Sequence, residues 1–180
     1  MAFGRPRKLF TEAELYDYAV GALARRMRSI AELKRLLRNR VEADTEFGKT
    51  LVELIVVRLK DQGYLNDAKY ATAFSSYRRD NEKFGRMRVV TDLKAKGVHG
   101  DVIEKAVSSV YDEVKDESQA RAYLRRKRLQ KPKDRDRKQT ARIFRQLMRA
   151  GFRSKTIFAI LKKWDVDEEI LTELESEASE

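Results

Sequence analysis

The chain predicts an all-α fold, an elongated tandem array of three three-helix repeats, on three observations. The first is a recurring phrase. Leu93-Lys94-Ala95-Lys96-Gly97-Val98, followed by the apolar run Ile103 through Val107, returns as Leu147-Met148-Arg149-Ala150-Gly151-Phe152 followed by Ile157 through Leu161. A weaker copy stands at Leu36-Leu37-Arg38-Asn39-Arg40-Val41, so the leading leucines are 57 and 54 residues apart. A near-fixed step marks one helical unit used three times. The second observation is the scarcity of breakers, two prolines and eight glycines in 180 residues, which favours long helices over many tight turns. The third is composition: 42% hydrophobic and 38% charged residues suit small cores beneath a large solvated surface.

Residues 1–10 read as a basic, mobile lead-in. Repeat 1 covers 11–65. Thr11 and Glu14 form a capping box with Phe10 and Leu15 as a hydrophobic staple, so the first helix begins near Glu12 and runs to about Met27. Ser29 and Glu32 repeat the capping box for a second helix that sets Ile30, Leu33, Leu36 and Leu37 on one face. The third carries Leu51, Leu54, Ile55 and Leu59 inward and stops at Gly63; Ile55-Val56-Val57 has strand propensity, but the wider spacing is helical.

Repeat 2, 66–115, opens on Asn66-Asp67 as a cap. Its helices carry Tyr70, Ala71, Phe74 and Tyr77, then Met87, Val90 and Leu93, then Val102, Ile103, Ala106, Val107 and Val110. Repeat 3, 116–165, has Ala120, Tyr123, Leu124 and Leu129, a break at Lys131-Pro132-Lys133-Asp134, then Ile143, Phe144, Leu147 and Met148, then Ile157, Phe158, Ile160, Leu161 and Trp164. Residues 166–180 form an acidic helix or tail around Ile170, Leu171 and Leu174. Stacked end to end, three such units extend about 60–80 Å at 1.5 Å of rise per helical residue. Gly63, Gly97 and Gly151 are expected at positive φ, and Tyr64, Leu65, Phe152 and Trp164 between helices.

Signatures of chemistry are absent or incomplete. There is no cysteine, so disulfides and thiolate catalysis are excluded. No apolar run approaches a membrane span and no signal-peptide core opens the chain, which predicts a soluble cytoplasmic protein. Phe47-Gly48-Lys49-Thr50 ends like a phosphate loop, but Ala43 stands where that motif needs glycine and a helix precedes it where a strand should, so it reads as a loop and helix start. His99 is the single histidine, set in a turn with no nucleophile marked nearby. Asp167-Glu168-Glu169 lacks the spacing of a calcium loop. No enzyme, metal or cofactor is expected.

Charge speaks about partners. The formal net charge is +11, and it is uneven: residues 121–155 hold fifteen Lys/Arg against Asp134 and Asp136, while 165–180 hold eight Asp/Glu and no Lys or Arg. Such a field favours polyanions, most simply nucleic acid or an assembly that carries it. At 100° per residue, Lys138, Arg142, Arg145 and Arg149 fall opposite Ile143, Phe144, Leu147 and Met148. Arg125, Arg126, Arg128 and Arg153 adjoin them in sequence, and Lys34, Arg35 and Arg38 repeat the layout in the first unit. A solvated face that only confers solubility is the plain alternative. Like charges four apart with no acidic partner repel by tenths of a kcal/mol per pair, which argues for an outside anion. The acidic end reads either as a solubilising tail or as a segment that folds back on the strip.

Gly63-Tyr64-Leu65-Asn66-Asp67, with Tyr70-Ala71, Arg78, Gly85-Arg86, Leu93 and Lys96-Gly97-Val98, resembles the RecX family, regulators of the RecA recombinase. Ser29, Glu32-Leu33, Leu36-Leu37 and Gly151-Phe152 share the likeness, which spans about residues 13–164 and departs at Arg40, where the family more often has glycine. The resemblance implies tandem three-helix repeats. It implies binding to the RecA filament on single-stranded DNA, in its groove or at its end, and restraint of ATP hydrolysis, strand exchange and repressor cleavage in recombinational repair and the SOS response; the chain itself is expected to be a monomer. It implies no catalytic residues. The competing function is a DNA-binding protein that acts directly and non-specifically on single-stranded or duplex DNA. Sequence-specific readout is disfavoured because no helix opens with the Asn, Gln and Arg set of a recognition helix.

Overall fold

Capping chemistry starts the helices where the sequence places it. In the computed structural model, Lys8 and residues 11–42, 44–132 and 136–179 are described. Among them are ten α-helices and one π-helical turn. They are α1 Glu12–Arg25, α2 Ile30–Arg38, α3 Glu46–Asp61, α4 Asp67–Tyr77, the π turn Arg78–Glu82, α5 Arg86–Ala95, α6 Gly100–Tyr111, α7 Asp116–Arg126, α8 Arg137–Arg149, α9 Ser154–Lys162 and α10 Glu168–Ser179. The Thr11 hydroxyl accepts from the Glu14 N–H at 3.2 Å, and Ser29 and Glu32 close a full capping box at the start of α2. The basic lead-in apart from Lys8, whose ammonium donates to the Val41 carbonyl at 2.6 Å, lies outside the described residues, as do the Phe10 staple, Ala43 and the Lys133-Asp134 part of the break.

One stop signal ends helix after helix. The N–H of an apolar residue reaches back five positions: Val98 to the Leu93 carbonyl, Leu129 to Leu124, Phe152 to Leu147 and Val166 to Leu161. The residue just before each turns left-handed, at Gly97 (φ 72°), Arg128 (φ 54°), Gly151 (φ 87°) and Asp165 (φ 59°). This motif is the physical content of the repeated phrase, because it seats the apolar residue after the stop against the helix it has just left. Gly63 is left-handed as well, at φ 76°. The weak copy differs: Arg40 has no positive φ, and Val41 is buried after a tighter turn in which the Arg40 N–H meets the Leu37 carbonyl.

The chain divides into two compact units, one made of 1–71 and 93–103 and the other of 72–92 and 104–180. The first is built on α1–α3, with Leu15, Ala19, Leu33, Leu37, Ile55 and Leu59 fully buried. Its α2 also bonds to the end of α5, the Ser29 hydroxyl donating to the Lys96 carbonyl at 2.6 Å and the Lys96 ammonium pairing with Glu32 at 2.9 Å. The second unit packs α7–α10 around Phe144, Leu147, Ile157, Ile160, Leu161 and Leu171.

Several inward assignments from the sequence are corrected. In α3, Leu54 is 47% exposed and Val52 and Val56 take the inner face beside Ile55. In α5, Met87 is half exposed, and Val89 is buried together with Leu93. Tyr64 and Tyr77 point out, while Leu65 and Phe152 are buried and Trp164 is partly so. Gly48 sits in the first turn of α3, where its N–H donates to the Thr45 cap, so Phe47-Gly48-Lys49-Thr50 is a helix start. His99 is exposed just before α6. No described helix is long and apolar enough to cross a membrane.

Candidate functional site

The cationic face of α8 is positioned by its two ends. At the start, the Asp136 carboxylate accepts from the Gln139 N–H at 2.9 Å and the Thr140 hydroxyl bonds back to the Asp136 carbonyl. At the far end, two carbonyls that a helix leaves without partners are taken by another segment: the Gly85 N–H donates to the Ala150 carbonyl at 2.8 Å and the Met87 N–H to the Gly151 carbonyl at 3.3 Å. Glycine permits this approach. A Cβ on Gly151 would lie 2.1 Å from the Arg88 nitrogen, and one on Gly85 would lie 2.4 Å from the Gly151 oxygen. The pairing fixes the start of α5 beside the end of α8.

Between them, with α7 as the third wall, opens a cleft of about 430 Å³. Phe84, Tyr123 and Ala150 give it an aromatic and apolar floor; Arg88, Lys127, Arg142, Gln146 and Arg149 form its sides. The Phe84 and Tyr123 rings are 6.1 Å apart, and Tyr123 meets Phe152 edge-on at 6.0 Å. Arg88 is tied to Asp92 at 3.0 Å, and the Lys127 ammonium lies 5.9 Å from the centre of the Tyr123 ring. Burial raises the Tyr123 phenol above its ordinary value against the opposing pull of Gln146, Arg126, Arg149 and Arg88, so it stays neutral and can donate at physiological pH.

The eleven cations singled out in the sequence divide into groups. Lys138, Arg142, Arg145 and Arg149 are exposed on α8, while Ile143, Phe144 and Leu147 are buried on its other side and Met148 is partly so. Arg142 and Arg149 turn to the cleft, whereas Arg145 does not line it. Arg125, Arg128 and Arg153 are exposed, with Arg125 lining a separate groove beside Trp164. Arg126 pairs with Glu82 at 3.2 Å. In the first unit Lys34 pairs with Glu53 at 2.7 Å, and Arg35 and Arg38 are exposed.

Several neighbouring cations have carboxylate partners, including Arg121 with Glu117, Lys163 with Glu117, Lys162 with Glu168 and Arg137 with Glu173. Among the described residues, Arg142, Arg145 and Arg149 make no ion pair. The acidic end folds as α10, buries Leu171 and Leu174, and meets α8 at Arg137, through Glu173 at 2.8 Å and Glu177 at 3.5 Å.

Phe84, Arg88 and Gln146 join the cleft from outside the expected cationic set, and Tyr123, expected inward, lines it as well. A signal for Gln146 was present, since it stands four after Arg142 and three before Arg149 on one helix face. Arg88 and Phe84 carried none, because backbone bonds between distant segments bring them in.

Residues 66–107 match a family model described as RecX, second three-helix domain. The regulatory protein RecX of Myxococcus xanthus (strain DK1622) is 33% identical over 170 residues, which cover 88% of this chain and 87% of that protein. The chain belongs to the RecX family. The RecX of Deinococcus radiodurans is 32% identical, over 88% of this chain and 74% of that one. The chain spans less of other relatives, 57% of the Bacillus pumilus RecX at 32% identity. A crystal structure of RecX from Lactobacillus salivarius superposes with a TM-score of 0.64 at 22% identity, over 86% of this chain and 96% of that one. Another, titled regulatory protein RecX, gives 0.62 at 24% identity over 84% and 71%. These two share the helical fold.

Proposed function

We propose that this RecX-family chain binds the RecA filament on single-stranded DNA and inhibits its ATPase, strand-exchange and coprotease activities. The observation that carries the reading is the row Arg142, Arg145 and Arg149, exposed on a capped helix and free of ion pairs among the described residues. A row of guanidinium groups offers forked donors to phosphates or carboxylates, and a polyanionic filament presents such groups in series. Family membership and the relatives' name, regulatory protein, support the choice of partner. The action needs no covalent chemistry: occupying a filament surface excludes the second DNA or obstructs growth.

The test is filament ATPase with RecA preassembled on single-stranded DNA, in salt that abolishes binding to bare DNA. Substoichiometric inhibition is expected from the natural chain. The double variant Arg142→Glu, Arg145→Glu is expected to lose at least tenfold in inhibition while far-UV circular dichroism stays unchanged, since both side chains face solvent. Binding to bare DNA with no effect on the filament would favour direct, non-specific DNA binding instead.

A further inference from the structure

The cleft beside the cationic row has a chemistry that charge alone does not explain. Phosphate binding needs cations only, yet here the Phe84 ring, with the Arg88 guanidinium 5.8 Å from its centre, and the rim of the buried Tyr123 share the lining with Arg142, Arg149, Lys127 and the Gln146 amide. A planar base has an apolar face and a rim of donors and acceptors, and its phosphate lies a few ångströms away. We propose that this cleft seats one unstacked nucleotide, with its base over Phe84 and the rim of Tyr123, its edge on Gln146, and its phosphate held by Arg142, Arg149 and Lys127. The inference rests on the reading that the α8 face meets nucleic acid, and it adds what that face selects.

Three features favour this occupant. The volume, about 430 Å³, falls within the roughly 300–1,000 Å³ of small-ligand sites. Arg142 and Arg149 flank Gln146 on one side of a single helix, so cation and amide donors come at fixed spacing. The walls are preset by the Gly85–Ala150 and Met87–Gly151 backbone bonds, so little ordering is required on binding. In a duplex the bases are stacked and paired, and none is free to enter. The cleft therefore makes the protein prefer single strands for a reason separate from charge.

The experiment compares a labelled single-stranded deoxyoligonucleotide with an abasic strand of the same length and phosphate count, by fluorescence anisotropy on the full chain. The base-bearing strand is expected to bind about tenfold tighter, the size of a single base–aromatic contact. Gln146→Ala and Phe84→Leu, each checked for folding by circular dichroism, are expected to narrow that ratio, whereas Arg149→Gln, on the phosphate, should weaken both strands. Arg145→Glu, outside the cleft, should weaken both strands alike and keep the ratio. Competition by a free deoxynucleoside triphosphate that abolishes the base preference would identify a mononucleotide as the occupant; failure to compete would identify a nucleotide within a strand.

Equal binding of the two strands overturns the cleft assignment and leaves the cationic face as a phosphate-binding surface. Inhibition of the filament without any binding to either strand also overturns it, while the filament reading stands. Base-dependent binding without filament inhibition does the reverse. Displacement of the strand by polyglutamate but by no nucleotide overturns it in favour of an acidic protein segment.

Discussion

At the scale of single residues, two positions decide whether segments far apart in sequence can meet. Gly151 is left-handed and has the Arg88 backbone nitrogen where a Cβ would sit. Gly151→Ala therefore combines strain with a backbone clash, and a loss of about 2–4 kcal/mol in chemical denaturation is expected. Gly100→Ala is the control: it opens α6 with nothing within 4 Å of the added methyl, and its effect should stay within about 0.5 kcal/mol. Glu32 is the second position. Burial pushes its carboxyl up, but the Lys96 ammonium, the Ser29 N–H and the Tyr70 hydroxyl outweigh that and leave it below its ordinary 4.5. A carboxyl lowered by folding contributes stability that is present above its unfolded pKa and lost as pH falls through the folded one. The natural chain should thus exceed Glu32→Gln in stability at neutral pH, and the gap should shrink on acidification below about pH 4.5, as read from denaturation midpoints. Asp67 moves oppositely: burial raises it, against the Ile30 N–H, so its contribution fades as pH rises through its folded pKa. The Glu32 charge is one of the causes that raise Asp67, so Glu32→Gln also eases that second shift.

At the scale of elements, α10 shows how an acidic tail becomes part of a core. Leu171 is fully buried and Leu174 nearly so, while the carboxylates stay outside and two of them reach Arg137. Leu171→Ala should cost about 2–3 kcal/mol, at the low end for a leucine truncation because a terminal helix can relax. Glu173→Gln should cost under about 1 kcal/mol, as an exposed ion pair does. Thermal denaturation of the two variants checks the contrast. Most elements were legible beforehand because caps and stops are local chemistry: Thr11, Ser29 and the Gly97 and Gly151 stops all act within a few residues. The outward turn of Leu54 and Met87 was not, since both satisfy a helical spacing and only packing chooses between adjacent faces. The cationic row of α8 was readable from periodicity, whereas the cleft needed Phe84 and Arg88 from a segment some sixty residues away. Whether a lysine or arginine is already engaged was equally invisible: Lys34 and Arg126 differ from Arg142 only in the carboxylates brought to them.

At the scale of the whole molecule, a formal charge of +11 with its densest run between 121 and 155 makes encounter with a polyanion depend on salt. If three or four phosphates are neutralised, log K against log salt for single-stranded DNA should have a slope of about −2 to −3, at about −0.7 per phosphate. Removing two contacts with the Arg142→Glu, Arg145→Glu variant should flatten it by at least one. A slope that the variant leaves unchanged would place the binding cations elsewhere.

The hydroxyl of Ser29 and the carboxylate of Glu32 have another consequence, for anyone who would dissect this protein. Their partner is Lys96, and the compact unit that holds all three is written in two stretches, 1–71 and 93–103. A fragment trimmed at Leu65, where the first repeat ends on paper, discards the carbonyl and the ammonium that answer those groups. No lone proteolytic nick can liberate either unit entire, because the polypeptide crosses from one to the other three times. Swapping repeats between relatives would have to carry both stretches as a single heritable piece.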